Sequence, residues 1–441
     1  MSNQPNAFQL ISCEECGLVV RILDINNGQE AYCPRCSHSL TKIHDMPYQS
    51  IMAVSSACLI ALVLSISFPF MSFSVKGLSQ EIFLLQAAEM LATFQNVMLA
   101  GMLLATVILF PAVYVFLIIF LHIEALNAKH GVLSHKRQLS SQRLCRLLFY
   151  IEPWLMVDVF LIGVLVSLVK ISSLADIGMG SSFWAFCIYT ILVVKCSSMV
   201  DKCWLWGHFT PAKELSSVSA GDTHHSRNHI GCHMCHQINH IETKHCIRCR
   251  SLLHEYNPIN NLQKAWALLF SAIIFYIPAN LYPMMYTVSL GHSTGSTIMQ
   301  GVILLWNLGS YPIAIVIFIA SVFIPIAKIL SLGWLYYCAK KIKYSPEEES
   351  VMRQRLYRIT ELIGRWSMID IFVVAVLVAL VQLQNLMSIY PGPAALFFAG
   401  VVILTMLSAM TFDSRLLWGS HQYTSENSIL KNQNKMSGYE K

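Results

Sequence analysis

The sequence predicts an all-α polytopic membrane protein with eight transmembrane helices in two parallel four-helix repeats, each preceded by a small cytoplasmic module rich in cysteine. The first reason is composition: 55% of the 441 residues are hydrophobic and only 12% are charged, against about 25% charged residues in soluble domains. Collagen-like, disordered and small disulfide-linked proteins are excluded by the same composition. The placement of lysine and arginine and an internal repeat are the other two reasons.

Eight apolar runs are long enough to cross a bilayer core of roughly 30 Å, which takes about 20 helical residues. Prolines occur in several runs, as membrane helices allow where neighbouring groups satisfy the freed backbone. Residues 1–50 are polar, so we expect no signal peptide before the first run. The predicted spans are 51–70, 97–121, 153–170, 182–198, 265–285, 311–337, 366–384 and 394–412.

Positive charge lies almost entirely on one side of these spans. On the other side, Lys76 is the one lysine or arginine. Because cytoplasmic loops are enriched in lysine and arginine, both termini are predicted to be cytoplasmic, which requires an even number of spans. The side that carries 26 of the 30 lysines and arginines comprises 1–50, 122–151, 199–264, 338–365 and 413–441.

The chain repeats itself at an offset of 212 residues. Since each copy has an even number of spans, the two copies are predicted to be parallel repeats. The matched residues are Trp154, Met156, Asp158, Phe160, Asp201 and Trp206 with Trp366, Met368, Asp370, Phe372, Asp413 and Trp418. The predicted divisions are a first ribbon (1–50), a first repeat (51–206), a linker (207–231), a second ribbon (232–258), a second repeat (259–418) and a polar tail (419–441).

Eight of the fourteen cysteines form four C-x-x-C pairs, and the two pairs of each module are separated by 16 and by 10 residues. Two such turns can hold one zinc ion at about 2.3 Å from each sulfur, in tetrahedral geometry. Four thiolates leave no open coordination position, so two structural zinc ions are predicted. The predicted ligands are Cys13, Cys16, Cys33 and Cys36 in the first ribbon and Cys232, Cys235, Cys246 and Cys249 in the second.

Two alternatives to this ligand set stay open. A histidine of the second ribbon could replace a cysteine, since imidazole also binds zinc. The C-P-R-C pair superficially resembles a redox dithiol, but that chemistry uses a single C-x-x-C on a βαβ scaffold. Because every pair here has a second pair beside it, structural zinc is favoured. The competing histidines are His233, His236, His240 and His245.

Catalytic motifs are absent from the sequence. It contains no G-x-x-x-x-G-K-[ST] phosphate loop, no dinucleotide-binding fingerprint, no H-E-x-x-H and no G-x-S-x-G. We therefore expect no enzyme. The net charge of +6 reflects membrane topology, so no nucleic-acid partner is expected either.

The order of ribbon, four spans, ribbon and four spans resembles the paraquat-inducible protein A family. The resemblance covers nearly the whole chain apart from the linker and the tail. It is carried by Pro-Ala-Asn-Leu-Tyr-Pro at 278–283, Gly-Val-Ile-Leu-Leu-Trp at 301–306, Gly-Arg-Trp-Ser-Met-Ile-Asp at 364–370, Met-Ser-Ile-Tyr-Pro at 387–391 and Ser-Ala-Met-Thr-Phe-Asp at 408–413.

This resemblance implies a subunit of the Gram-negative inner membrane that exchanges phospholipid with an MCE-domain tunnel protein in the periplasm, and indirectly with an outer-membrane lipoprotein. The apolar loops 71–96 and 286–310 suit re-entrant or interfacial helices that dock a partner or a lipid, or that pack on their own bundle. The alternative is a stand-alone ion or small-molecule carrier with metal-sensing ribbons. A dithiol oxidoreductase is disfavoured by the cytoplasmic placement of all four C-x-x-C pairs.

Lys328 is the ionisable residue placed deepest in a predicted span. Without a partner it would cost at least about 2.5–3.5 kcal/mol there, so a partner is expected. One hypothesis is a polar network that couples proton movement to opening of a lipid path, and the alternative is a static ion pair that fixes helix register. Asp158 is read as a favourable acid at a helix N-terminus. The network residues are Lys328, Asp370, Ser321, Ser367 and Thr405.

Overall fold

The structure is a computed structural model, and part of the chain lies outside the residues that it describes. Ser367, Asp370, most of the predicted span 366–384 and the tail after residue 418 lie outside them. The described residues are 9–22, 28–43, 46–75, 78–93, 97–131, 135–171, 176–213, 215–226, 228–253, 257–289, 292–307, 309, 311–341, 347–366, 368–369, 372–373, 376, 382–383 and 387–418.

Two antiparallel hairpins form the first ribbon. β1 (Gln9–Ser12) pairs with β2 (Val19–Ile22), and β3 (Glu30–Tyr32) pairs with β4 (Ser39–Lys42). One C-x-x-C pair lies in the turn of each hairpin, so hairpin pairing brings the four cysteines to one end of the module.

The first half of the chain continues with long apolar helices. α1 ends before Pro69, and a π-helical turn at Ala105–Leu109 ends two residues before Pro111, which has no N–H to donate. A short 3-10 turn, Glu152–Trp154, separates α5 from α6. The helices are α1 (Pro47–Ser67), α2 (Leu84–Thr93), α3 (Val97–Leu104), α4 (Phe110–Lys129), α5 (His135–Ile151), α6 (Val157–Ile171), α7 (Ser181–Met199) and α8 (Lys202–Phe209); the strands are β5 (Met71–Val75), β6 (Leu78–Ile82) and β7 (Asp176–Met179).

The described elements of the second half follow a similar order, with one further strand, β12, and with the region equivalent to α6 largely outside the described residues. Its ribbon contains β8 (His229–Gly231) and β9 (Ile238–His240), and a π-helical turn at Ile319–Phe323 again precedes a proline, Pro325. The further elements are α9 (Pro258–Leu281), β10 (Met285–Ser289), β11 (His292–Ser296), α10 (Ile298–Asn307), α11 (Tyr311–Phe318), α12 (Ile324–Lys341), α13 (Glu347–Trp366), β12 (Gln382–Leu383), β13 (Met387–Pro391) and α14 (Pro393–Thr411).

Two antiparallel sheets lie at the end of the bundle opposite the ribbons, so the all-α prediction is wrong there. Their strand orders are β6-β5-β7 and β11-β10-β13-β12. Met71-Ser-Phe-Ser-Val75 alternates apolar and polar residues, which is the period of a strand. Long hydrophobic runs hid this short pattern. Each of the loops 71–96 and 286–310 contains a hairpin followed by a helix, α2 or α10, and the interfacial position of these helices stays a prediction.

Seven described helices are long and apolar enough to cross a membrane, and each overlaps one predicted span. The eighth predicted span, 366–384, lies mostly outside the described residues. The third differs most from its prediction of 153–170, because the candidate membrane helix runs over Lys136–Leu168. The predicted loop 122–151 is thus largely helix, formed by the end of α4 and by α5.

The two halves meet through α6. Phe160 packs edge-on against Phe372 with ring centroids 5.5 Å apart, and Ser167 Oγ donates to the carbonyl of Val373 at 3.3 Å. Gly163 allows this close approach, since a Cβ there would lie 3.0 Å from Cβ of Phe372. The contact joins residues of α6 to the segment that follows α13.

Candidate metal centres and the cavity between the halves

All four C-x-x-C turns share one backbone geometry. The residue after the second cysteine has φ between 56° and 70°, and its N–H donates to the carbonyl of the first cysteine at 2.9 Å. Three of the four are not glycine, and this conformation costs such residues roughly 1–2 kcal/mol. A metal ion that held both thiolates would offset that cost, as at other ligand clamps. The four residues are Gly17, Ser37, His236 and Arg250.

The sulfur atoms of each ribbon converge on one buried point. All four lie within 4.8 Å of one another, and a sulfur tetrahedron around zinc at about 2.3 Å has edges of about 3.8 Å. The donor set therefore fits a tetrahedral ion, which would link the hairpins and leave no open coordination position. The pairs separated by 3.5 Å are Cys13 with Cys36, Cys16 with Cys33, Cys232 with Cys249 and Cys235 with Cys246.

None of the four histidines that competed as ligands, all of which the structure describes, belongs to the sulfur cluster of the second ribbon. His236 instead faces the first ribbon, with Nδ1 3.7 Å from Oε1 of Glu14, and Lys202 Nζ lies 3.8 Å from Oε2. Burial alone would raise the pKa of Glu14, but His236, Lys202 and His233 lower it to about 2. Glu14 is thus an anion that joins the two ribbons to α8.

The first ribbon docks on the second half of the chain. Arg358 of α13 donates from Nε to both carboxylate oxygens of Glu15, at 2.9 and 2.8 Å, and from Nη2 to the carbonyl of Cys36 at 3.0 Å. Arg35 lies 4.6 Å above the ring of Trp418. The four ribbon cysteines share a buried cluster with Tyr336 of α12 and other apolar residues of the second half.

The second ribbon docks on the first half. Its cysteines share a buried cluster with residues of α4, α5 and α8, among them Tyr114 and Trp206. Arg248 donates from Nε to the carbonyl of Thr210 and from Nη1 to that of Cys235, both at 2.9 Å. The first ribbon therefore packs on the second half, and the second ribbon packs on the first half. We call this arrangement crossed docking.

The first ribbon also reaches its own half. Asp201 accepts from Thr41 Oγ1 at 3.0 Å and from the backbone N–H of Lys42 at 2.9 Å, and it caps α8 through the N–H of Trp204. With Arg358 on one side and Asp201 on the other, this ribbon bridges both halves.

The segment between α8 and β8 also packs on the first ribbon. The N–H of Val19 donates to the carbonyl of Asp222 at 2.8 Å, and the N–H of Gly221 donates to the carbonyl of Val19 at 2.9 Å. Gly221 and Asp222 of the predicted linker thus pair through backbone hydrogen bonds with Val19 of β2.

A cavity of ≈ 630 Å³ separates the halves on the ribbon side of the bundle. The first half contributes α5 to α8, and the second half contributes α12, α13 and α14. The volume falls in the range of about 300–1,000 Å³ typical of small-molecule sites. Its ionisable lining residues are Glu152, Asp158, Lys202, Lys328 and Glu361.

Lys328 lines this cavity and is 4% exposed. Among the described residues its Nζ has no hydrogen-bond partner, and it lies against the Cα of Gly364, where a Cβ would be 2.8 Å from Nζ. Ser321 and Thr405 are also buried, but Thr405 Oγ1 donates to the carbonyl of Val402 in its own helix. The predicted network is thus not joined by hydrogen bonds among its three described members.

Sequence reasoning missed the docking residues. The signal that could have found two of them is the arginine before the last cysteine of each ribbon, Arg35 and Arg248. Arg358 and Glu15 carry no such pattern, because one lies on an ordinary amphipathic helix and the other inside a C-x-x-C pair. Asp158 lies in the first turn of α6, the position that the sequence predicted for it.

Comparison with known proteins gives consistent matches over nearly the whole chain. The family model described as paraquat-inducible protein A matches residues 48–210 and 262–422. "Intermembrane transport protein PqiA" of Escherichia coli K12 is 40% identical over 95% of this chain and 97% of its own length. A "Probable intermembrane transport protein" of Haemophilus influenzae is 27% identical over 93% of this chain and 96% of its own length.

A more distant relative is "Lipophilic envelope-spanning tunnel protein A" of Escherichia coli K12, which is 26% identical over 93% of this chain and 91% of its own length. The first two names refer to transport between membranes, and the third to a tunnel that spans the envelope. No solved structure matches.

Proposed function

Because the chain belongs to the paraquat-inducible protein A family, we propose that it is the inner-membrane subunit of an MCE-type lipid transport system. In this role it exchanges phospholipid with a tunnel protein that spans the periplasm, and it reaches an outer-membrane lipoprotein only through that tunnel. The observation that carries the proposal is the 40% identity over 95% of the chain to a protein named for intermembrane transport. We assign it no catalytic role.

The proposed architecture has eight spans in two parallel repeats. Phe160 and Phe372 occupy equivalent positions at the offset of 212, and they contact each other. Self-contact of equivalent residues is typical of a two-fold axis, here a pseudo-axis along the membrane normal. The similar order of the described elements in both halves supports the same arrangement. The segment 366–384, which lies mostly outside the described residues, is the proposed eighth span.

The ribbons face the cytoplasm in this proposal, together with both termini. The concentration of lysine and arginine on their side supports that orientation. Zinc is the proposed ion because four thiolates in a tetrahedron match its preferences. Its role is structural, since bound metal would hold hairpins that are too small to fold alone.

The opposite end of the bundle is the proposed docking region for the tunnel protein. On α10, Ile298 and Val302 are buried, whereas Leu304 and Trp306 are 60% and 50% exposed. One face of this helix therefore packs on its own bundle, and the other leaves apolar surface exposed that lipid or a partner could cover. Exposed apolar surface of this kind marks interaction sites.

Lys328 with Ser321, Thr405, Ser367 and Asp370 is the proposed polar network, and proton movement through it is the proposed drive. Its support is that Lys328 is buried in a span and lacks a hydrogen-bond partner among the described residues. The same observation favours the second candidate function, a stand-alone ion or small-molecule carrier with metal-sensing ribbons.

Photo-crosslinking separates these functions. A photoreactive residue placed at Trp306 or Met285 in cells is expected to yield adducts with phospholipid and with an MCE-domain protein. The matched control is Tyr150, which is 71% exposed on the ribbon side. The proposal is contradicted if Trp306 and Met285 give neither adduct beyond the yield at Tyr150.

A further inference from the structure

The cavity between the halves has a buried charged group, the ammonium of Lys328, in its interior and exposed apolar side chains at its edge. Lys328 is 4% exposed, whereas Val194 and Met410 are 51% and 48% exposed and also line the cavity. A ligand that fits both regions has a charged head and an apolar remainder. Free inorganic phosphate would use the first region only.

The cavity is formed by equivalent positions of the two repeats that differ in chemistry. At the offset of 212, a glutamate of the first repeat corresponds to a glycine of the second, and a phenylalanine corresponds to a glutamate. Two serines of the first repeat correspond to an alanine and a methionine. The repeats therefore diverge in the lining of this cavity, although Phe160 and Phe372 beside it are identical. The differing pairs are Glu152 with Gly364, Phe149 with Glu361, Ser197 with Ala409 and Ser198 with Met410.

The charges favour a head that carries both signs. Lys328 offers an ammonium without a hydrogen-bond partner among the described residues, and a buried charge is stabilised by contact with an anion. The other lysine, Lys202, is already directed to Glu14 at 3.8 Å. Three carboxylates, those of Glu152, Asp158 and Glu361, line the same cavity. A purely anionic head would meet their repulsion, whereas a head with an amine would not.

We propose that this cavity binds the headgroup of a zwitterionic, amine-bearing phospholipid, with the phosphate on Lys328 and the amine toward the carboxylates. The inference rests on the proposed lipid-exchange function and specifies its substrate class. The apolar edge at Val194 and Met410 then receives the start of the acyl chains. Because both halves line the site, movement of one half against the other changes its size.

The test measures binding and not transport. Purified full-length protein in a non-ionic detergent is titrated with short-chain phosphatidylethanolamine, phosphatidylglycerol or inorganic phosphate, and retained ligand is counted by native mass spectrometry. Phosphatidylethanolamine is expected to bind at one per chain and more tightly than phosphatidylglycerol. Lys328→Gln should weaken it about tenfold or more, since a charge-assisted contact is lost.

Three further variants make the test specific. Lys195→Gln is the matched control, because Lys195 is an exposed lysine of α7 that does not line the cavity. Gly364→Ala retains Lys328 but would place a Cβ 2.8 Å from its Nζ, so it should also weaken phosphatidylethanolamine binding. This variant replaces Lys328→Gln in the test if Lys328→Gln fails to fold. Asp158→Asn should narrow the preference for phosphatidylethanolamine over phosphatidylglycerol.

Several outcomes overturn the inference. These are equal binding by Lys328→Gln, Gly364→Ala and Lys195→Gln, equal affinity for both lipids, or complete displacement of lipid by inorganic phosphate, which would indicate a free-phosphate site. If binding fails while lipid transfer by the protein persists, the headgroup site is wrong and the proposed function stands.

Discussion

The contact between Arg358 and the first ribbon can be tested quantitatively. The guanidinium makes a two-pronged contact with Glu15 and a bond to the carbonyl of Cys36. A hydrogen bond to a charged group contributes about 1.5–3 kcal/mol, and the Arg358 side chain is 35% exposed, so solvent screening reduces the total. We expect Arg358→Gln to weaken docking of the ribbon by about 2 kcal/mol, which is roughly a 30-fold rise in the undocked population.

Hydrogen exchange measures that population directly. In the full-length protein in detergent, the N–H groups of Val19 and Lys42, which donate to Asp222 and Asp201 outside the ribbon, should exchange roughly 30-fold faster in Arg358→Gln. Arg358→Lys should give an intermediate rate, because it retains charge without the planar fork. Arg355→Gln is the control, since Arg355 is exposed on the same helix. Equal exchange in Arg358→Gln and Arg355→Gln would refute docking through Arg358.

Three other changes have definite expected results. Cys33→Ser should remove one bound metal per chain in elemental analysis and lower the amount of folded protein, because metal binding here is folding free energy; Cys338→Ser, a thiol outside the sulfur clusters, should do neither. Burial lowers the pKa of His208, so the unfolded state binds more protons than the folded state below about pH 6.5, and acidification destabilises the fold. Thermal unfolding at about pH 7.5 and 5.5 should therefore show a smaller loss of stability in His208→Gln than in the unchanged protein. Gly163→Ala should destabilise the contact with Phe372, where its Cβ would approach to 3.0 Å, by about 1–3 kcal/mol in the same assay; an unchanged unfolding temperature would contradict a tight interface.

Much of the fold follows from local sequence signals. Apolar length alone located seven described spans, because a helix must bury about 20 consecutive residues to cross the bilayer. The cysteine pairs located both sulfur clusters, because four closely spaced thiols in two turns have few other arrangements. These features depend on composition and on the spacing of residues, and both can be read directly from the sequence.

Other features depend on contacts that spacing does not reveal. The strands β5 and β6 are five residues each, too short to stand out beside apolar runs several times longer. The crossed docking of the ribbons joins residues far apart in the chain, such as Glu15 and Arg358. The cavity arises where the two halves face each other, so neither repeat encodes it alone.

The partners expected for Lys328 show the same limit. Depth in a span predicted burial, and Lys328 is buried. Ser321 lies in a π-helical turn, and Thr405 bonds within its own helix. Helical spacing assumes regular turns, and it cannot state which face of one helix meets which face of another. The roles of Ser367 and Asp370 stay predictions.

Transfer of phospholipid out of the membrane tests the central claim most directly. The purified chain is placed in liposomes with an acyl-labelled phospholipid, and the periplasmic part of the proposed MCE-domain partner is added as acceptor. We predict label on the acceptor only when the chain is present, and a reduced rate for Lys328→Gln but not for Lys195→Gln. Transfer equal to that of protein-free liposomes, together with ion flux through the chain, would contradict lipid exchange and support the carrier.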